Sequence, residues 1–164
     1  MQEELRHIQS HFDTTTIMVT HDQAEALALS DRVVVMSEGK IEQIDVPERV
    51  YDAPATSFVA SFLGKANQLP SFALAQLGAS QTSTMPFIRP EKFTFSGSGL
   101  PGTVTSRMFL GTQWQYQVET AFGVVTMTRP HDGAWAPPRG SAVHLRLTEA
   151  ERVSVDKTRV AGEI

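Results

Sequence analysis

No cysteine occurs anywhere in the 164 residues. That absence removes disulfides, thiolate nucleophiles and thiolate-based zinc sites together, and it fits a reducing compartment. Runs of Lys and Arg are missing as well, and the formal net charge is −4 with a pI near 5.7. A surface that binds nucleic acid needs a basic patch to meet phosphates, so that class of partner is excluded. No apolar run approaches a membrane span, and the opening residues MQEELRHIQSHF carry no apolar signal core. The expectation is a chain soluble as written, without direct membrane insertion. Any work at a membrane would go through a partner.

What remains is ordinary for a globular protein. Hydrophobic residues make up 41% and charged residues 20%, enough apolar content for one medium domain or two small ones with real cores.

Along the chain, Leu5, Ile8 and Phe12 have helical spacing, with Glu3 and Glu4 in the first turn where the helix dipole favours them. The stretch TTTIMVT (14–20) is β-branched and reads as a strand. Asp22 and Glu25 then have capping-box spacing, and Ala24, Leu27 and Ala28 share a face, so a short helix follows. The continuous apolar run RVVVMS (32–37) predicts a strand buried on both faces. EGK (38–40) turns it into IEQI as a hairpin, with Gly39 at positive φ. Pro47 suits the first position of a helix, and Phe58, Val59, Phe62 and Leu63 form an apolar stripe closed by Gly64.

After Asn67 the character changes. Residues 70–83 mix Pro, Ser, Gln and Gly and read as a linker or loose first segment. From Met85 onward come short strand candidates between turns: MPFIRP, PGTVTSRMFLG, TQWQYQVET, GVVTMTRP and AVHLRLTEA. In the third, Trp114, Tyr116 and Val118 alternate onto one face. Several short strands at this spacing predict a small antiparallel barrel or sandwich. The tail from 153 is polar.

One residue stands out chemically. His21 lies between the expected strand 14–20 and the following helix, where α/β proteins collect ligands and where an imidazole N–H reaches a phosphate oxygen. Taken alone, such a histidine is ordinary. The whole run TIMVTHDQAEALALSDRVVVMSEGKIEQIDVPERVYDAPATSFVASFLG, however, resembles the end of the nucleotide-binding domain of ATP-binding-cassette importer ATPases. NQL (67–69), FIRPEKF (87–93) and the later LG (110–111) resemble the OB-like, transport-associated (TOBE) domain that follows it in importers of sugars, polyamines, iron and oxyanions.

The resemblance implies that His21 contacts the ATP γ-phosphate and couples hydrolysis to dimer closure. The rest of that machinery is not readable in the chain. The only Gly-Lys pairs, Gly39-Lys40 and Gly64-Lys65, are followed by Ile41 and Ala66 and lack the earlier glycine of G-x-x-x-x-G-K-[ST]. No apolar strand ends in Asp-Glu to hold magnesium, and no Gly-rich signature of the Leu-Ser-Gly-Gly type occurs.

Competing sites are bland. His7 and His11 are four apart on a helix, but Ile8 stands where a metalloprotease has Glu, so no metal site is expected. His131 with Asp132 and Gly133 reads as a loop. Helix capping accounts for the carboxylates Asp22 and Glu25, and Ser30 and Asp31 sit at the wrong end of the helix to join His21 in a triad. Trp114 and Tyr116 read as core or a subunit contact, since a stacking platform for nucleic acid lacks basic neighbours.

The reading is therefore an α+β chain: residues 1–66 the remnant of an ATPase domain, 67–83 a linker, 84–152 an OB-like accessory domain and 153–164 a polar tail. In the parent, ATP and magnesium would serve a cytoplasmic transport ATPase, peripheral at the inner face of the cell membrane and partnered by membrane permease subunits. The chain alone should neither hydrolyse ATP nor bind it tightly. Two apolar strands without their sheet predict a homodimer or higher oligomer. The alternative is a self-standing module in which Arg89, Arg107, Arg129 and Arg139 meet an oxyanion.

Overall fold

The computed structural model describes residues 11, 15–79 and 86–148, and the chain divides into two compact units, Met1–Gly64 and Lys65–Ile164. The helix expected over 2–12, apart from His11, and the polar tail from 153 lie outside the described residues.

In the first unit, α1 (Gln23–Leu29) begins where Asp22, in an extended conformation, turns its carboxylate back onto the first free amides. Oδ1 accepts from Ala24 N at 2.9 Å and from Glu25 N at 3.1 Å. Such a cap stabilises a helix by about 1 kcal/mol. The hairpin β1 (Val33–Ser37) and β2 (Lys40–Asp45) follows, joined by Glu38 at φ 49° and Gly39 at φ 75°. Two consecutive left-handed residues match the right-handed twist of the strands they connect. The register shifts between Val35 and Met36, so Glu42 is an extra residue on β2.

Next, α2 (Pro47–Asp52) opens on its proline, and α3 (Ser57–Phe62) is capped by the Thr56 hydroxyl accepting from Val59 N at 3.3 Å. Gln43 secures the loop between them, accepting from Ala55 N and donating to the Ala53 carbonyl. The core is small: Val33, Val35, Val50, Val59 and Leu63, with Leu27 and Tyr51 against it.

Two expectations are corrected here. Residues 15–20 form no strand, and Ile17 and Val19 are 89% and 96% exposed. A strand needs a neighbour for its amides, and among the described residues β1 and β2 pair only with each other. Nor is β1 buried on both faces. Val33 and Val35 point into the core, while Val34 and Met36 point outward beside their cross-strand partners Ile44 and Ile41. Among the described residues helices cover one side of this ribbon, and the alternate residues stay exposed.

In the second unit, residues 67–79 of the stretch expected as a linker are built structure, and 80–83 lie outside the described residues. β3 (Asn67–Gln68) pairs with β4 (Phe87–Ile88), and α4 (Ala73–Leu77) buries Ala73, Leu74 and Leu77. Gln76 on its outer side, and Pro70 and Ser71 just before it, masked an apolar face of helical spacing. Gly78, at φ 88°, ends the helix by donating to the carbonyls of Leu74 and Ala75.

A 3₁₀ turn (Pro90–Lys92) leads into an antiparallel sheet of β5 (Phe93–Ser96), β6 (Leu100–Phe109), β7 (Gln113–Thr120), β8 (Gly123–Pro130) and β9 (Ala142–Leu147). Its order is β5-β9-β6-β7-β8. A register shift between Val104 and Ser106 bends β6, and the outer strands β5 and β8 come into contact. Val104, Tyr116, Val118, Val125, Met127 and Leu145 fill the interior under α4. This is a partly closed, OB-like β domain.

Asn67 completes the closure. Its Oδ1 accepts from Thr126 N at 2.7 Å, and its Nδ2 donates to the carbonyls of Thr126 at 2.8 Å and Ile88 at 3.1 Å. One buried amide thus stands in for a short strand between β4 and β8.

Candidate functional site

His21 is held by its neighbours and left bare itself. Thr20 Oγ1 accepts from Asp22 N at 3.0 Å and donates to Glu25 Oε2 at 2.7 Å, while the Asp22 carboxylate caps α1. The backbone on both sides of His21 is therefore fixed. Its imidazole is exposed and makes no hydrogen bond or ion pair among the described residues. Gln23 fastens the start of α1 to the end of α3, its Oε1 accepting from Gly64 N at 3.1 Å. The geometry suits a ring presented to something outside the described structure.

The other expected groups do not gather around it. Asp22 caps α1 as its spacing predicted, whereas Glu25 accepts from the Thr20 hydroxyl and the Asp22 amide donates to Thr20 Oγ1 instead of closing a capping box. Ser30 and Asp31 follow the far end of α1, about 10 Å along its axis at 1.5 Å per residue. The Gly39-Lys40 pair sits in the hairpin turn and Gly64-Lys65 at the close of α3, neither in a loop that opens a helix. Among the described residues no cluster of three or more His, Asp or Glu is arranged for a metal. His11 is exposed, and His7 lies outside the described residues. Among the described residues an exposed His21 stands without a glycine-rich loop opening a helix or a metal cluster beside it, which does not fit a whole triphosphate with its magnesium.

The second unit gathers a different set. Arg107 places its guanidinium 4.3 Å from the centre of the Trp114 ring and donates to the Ala136 carbonyl at 3.1 Å. Arg129 stands opposite Trp114 on β8, 5.7 Å from the Phe95 ring. Tyr116 lies across from Arg107, and burial raises its pKa while Arg107 and then Arg129 oppose that rise. His131 Nδ1 accepts from Trp114 Nε1 at 3.3 Å, and its ring meets Phe109 edge-on. Of the four arginines, the fold brings Arg107 and Arg129 to one aromatic cluster. Arg89 is buried after β4, and Arg139 is exposed in the turn before β9. Period-two alternation places Trp114 with Tyr116, but the register that adds Arg107 and Arg129 was not readable from one strand.

The sequence profile of the TOBE domain matches residues 87–155. A spermidine/putrescine import ATP-binding protein of Pseudomonas aeruginosa is 35% identical over 182 residues, covering 96% of this chain and 47% of that protein. An Fe(3+) ions import ATP-binding protein of Agrobacterium fabrum is 38% identical over 143 residues, covering 74% and 40%. A spermidine/putrescine import ATP-binding protein of Ruegeria pomeroyi is 35% identical over 177 residues, covering 94% and 46%.

This chain matches the C-terminal part of ABC importer ATP-binding subunits.

It spans about half the length of the relatives it matches. Within the importer-subunit frame, the barrel of β5–β9 is the TOBE domain, and His21, with the helices after it, belongs to the unit that precedes it. No helix among the described residues is long and apolar enough to cross a membrane.

Proposed function

We propose that this chain serves as the C-terminal part of a transport ATPase in an ABC importer, with His21 as the switch that senses the γ-phosphate of ATP. The observation that carries the reading is the exposed imidazole between two fixed neighbours, ahead of a capped helix. When bound by the intact subunit, ATP with magnesium supplies the free energy for solute uptake. The part of this chain is to hold one imidazole at a set place, where its N–H donates to a phosphate oxygen. The apolar outer face of the hairpin, Val34, Met36, Ile41 and Ile44, supports a further element of the same reading. That face and residues 15–20 are covered in the assembled subunit or by a second copy, as a homodimer or higher oligomer. Membrane permease subunits are the onward partners, and the subunit works at the cytoplasmic face of the membrane.

Two measurements test this. The chain alone, lacking the phosphate cradle, should neither hydrolyse ATP nor bind it with micromolar affinity in calorimetry; tight binding would overturn the reading. In a subunit of full family length, His21→Ala should lower ATPase turnover on the order of 10²–10³-fold, the usual effect of losing one positioned donor. Its thermal stability should not change, because the ring makes no contact that holds the fold. Near-normal turnover in that variant would remove His21 from the role.

A further inference from the structure

We infer that Gln23 is a positioning residue for His21: it pins the turn carrying the imidazole to Gly64, the last residue of the first unit, and so sets where the ring stands. This role rests on His21 being the γ-phosphate switch.

The need for such a tie follows from how α1 is held. Of its seven residues only Leu29, at the far end, is buried, with Leu27 half-buried against the small core. Ala24 is exposed, and so are His21 and Asp22 ahead of the helix. The start of α1 therefore lies about 9 Å along the axis from its buried end, at 1.5 Å per residue. A segment packed at one end is free to pivot at the other, and His21 stands at that other end. The contacts among Thr20, Asp22, Ala24 and Glu25 hold the shape of the turn, but all are made within the turn itself. They would travel with it if it moved. Gln23 reaches outside the segment, its Oε1 accepting from Gly64 N at 3.1 Å across 41 residues.

The bland alternative is that Gln23 simply caps α3. That helix has its own partners at this end: Leu63 N donates to the Val59 carbonyl at 3.0 Å, and Gly64 N also reaches the Phe62 carbonyl at 3.1 Å. As an acceptor, Gln23 Oε1 gives α1 no partner for its free amides either; the Asp22 carboxylate does that. What the bond adds is a fixed spacing between the His21 turn and the end of α3. The receiving end is firm, since Gly64 follows Leu63, which is 1% exposed in the core. Reacting groups misplaced by about 1 Å lose much of their rate, so a small pivot at the start of α1 is enough to take the imidazole out of place.

In the whole chain, Gln23→Met removes the acceptor and nearly keeps the volume, whereas Gln23→Glu keeps an acceptor. Amide exchange at Gly64 should quicken about fivefold in Gln23→Met and not in Gln23→Glu, the loss of one hydrogen bond. Thr20→Val, which loosens the turn, should quicken exchange at Gly64 in the parent but add nothing in Gln23→Met, where the link is already gone. In a subunit of full family length, assayed well below its melting temperature, Gln23→Met should lower kcat for ATP hydrolysis on the order of tenfold and leave KM unchanged. That split marks a residue acting on the transition state through His21. A purely structural tie would move the melting temperature and leave kcat alone. Unchanged Gly64 exchange in Gln23→Met, equal effects of Thr20→Val in both backgrounds, or normal kcat in Gln23→Met beside a crippled His21→Ala would overturn the role of Gln23. Near-normal turnover in His21→Ala would instead remove the switch itself, and the role of Gln23 with it.

Discussion

Replacing Asn67 tests whether one amide holds the TOBE barrel shut. Its side chain makes three hydrogen bonds, to Thr126 N, the Thr126 carbonyl and the Ile88 carbonyl, and it is 8% exposed. Asn67→Ala removes all three and leaves a buried amide and two carbonyls to find water. At about 1 kcal/mol net per bond the loss is about 3 kcal/mol, more if the freed groups stay dry. For a unit of this size that lowers the melting temperature by roughly 12–24 °C. Both tryptophans lie in the second unit, so their fluorescence follows its unfolding without a signal from the first. Asn67→Asp separates hydrogen bonding from packing. It keeps the volume and the acceptor toward Thr126 N but turns a carboxylate oxygen onto two carbonyls, so it should destabilise at least as much as Ala. Amide exchange at Thr126 should rise in both variants. A melting temperature within about 3 °C of the parent for Asn67→Asp would refute the argument.

Three further outcomes are expected. Gly99 has φ 137°, and a Cβ there would collide with the Leu145 carbonyl oxygen, so Gly99→Ala should cost on the order of 2–4 kcal/mol in a denaturant titration. Asp22→Ala removes the α1 cap and should cost about 1 kcal/mol, read as faster amide exchange at Ala24 and Glu25 with the second unit unchanged. Met36→Lys with Ile41→Glu puts an opposite-charge pair on the outer face of the hairpin, leaving the core residues Val33 and Val35 alone. If that face joins copies, light scattering should show a smaller species for the double variant; an unchanged mass would clear the face of that role.

Local chemistry was legible in the sequence wherever one segment sufficed to state it. The Asp22 cap, the Gly39 turn, the Pro47 start and the alternation of Trp114, Tyr116 and Val118 each depend on residues a few positions apart. What was misread depends on partners. Residues 15–20 have strand composition, but composition cannot supply the neighbour that accepts their amides. The run 32–37 was apolar throughout, and only the two-stranded pairing decides that Val34 and Met36 stay outside. The stretch 67–77 was hidden by Pro70, Ser71 and its two glutamines, although Leu69, Leu74 and Leu77 belong to the larger core. As for the candidate sites, His21 is bounded by contacts only five residues apart, so it could be found from its own segment. The arginine and aromatic cluster needs the registers of three strands and could not.

The pairing of Asn67 with Thr126 also governs what can add to this barrel. β8 is an outer strand of the sheet, and an open outer strand recruits other chains through its free amides and carbonyls. Midway along β8, both backbone groups of Thr126 are already taken by a side chain of the same molecule. An incoming strand would have to displace that amide before it could zip along the edge. The domain is thereby guarded against edge-to-edge aggregation on this side at the cost of a single residue, and another chain would have to meet it there through side chains.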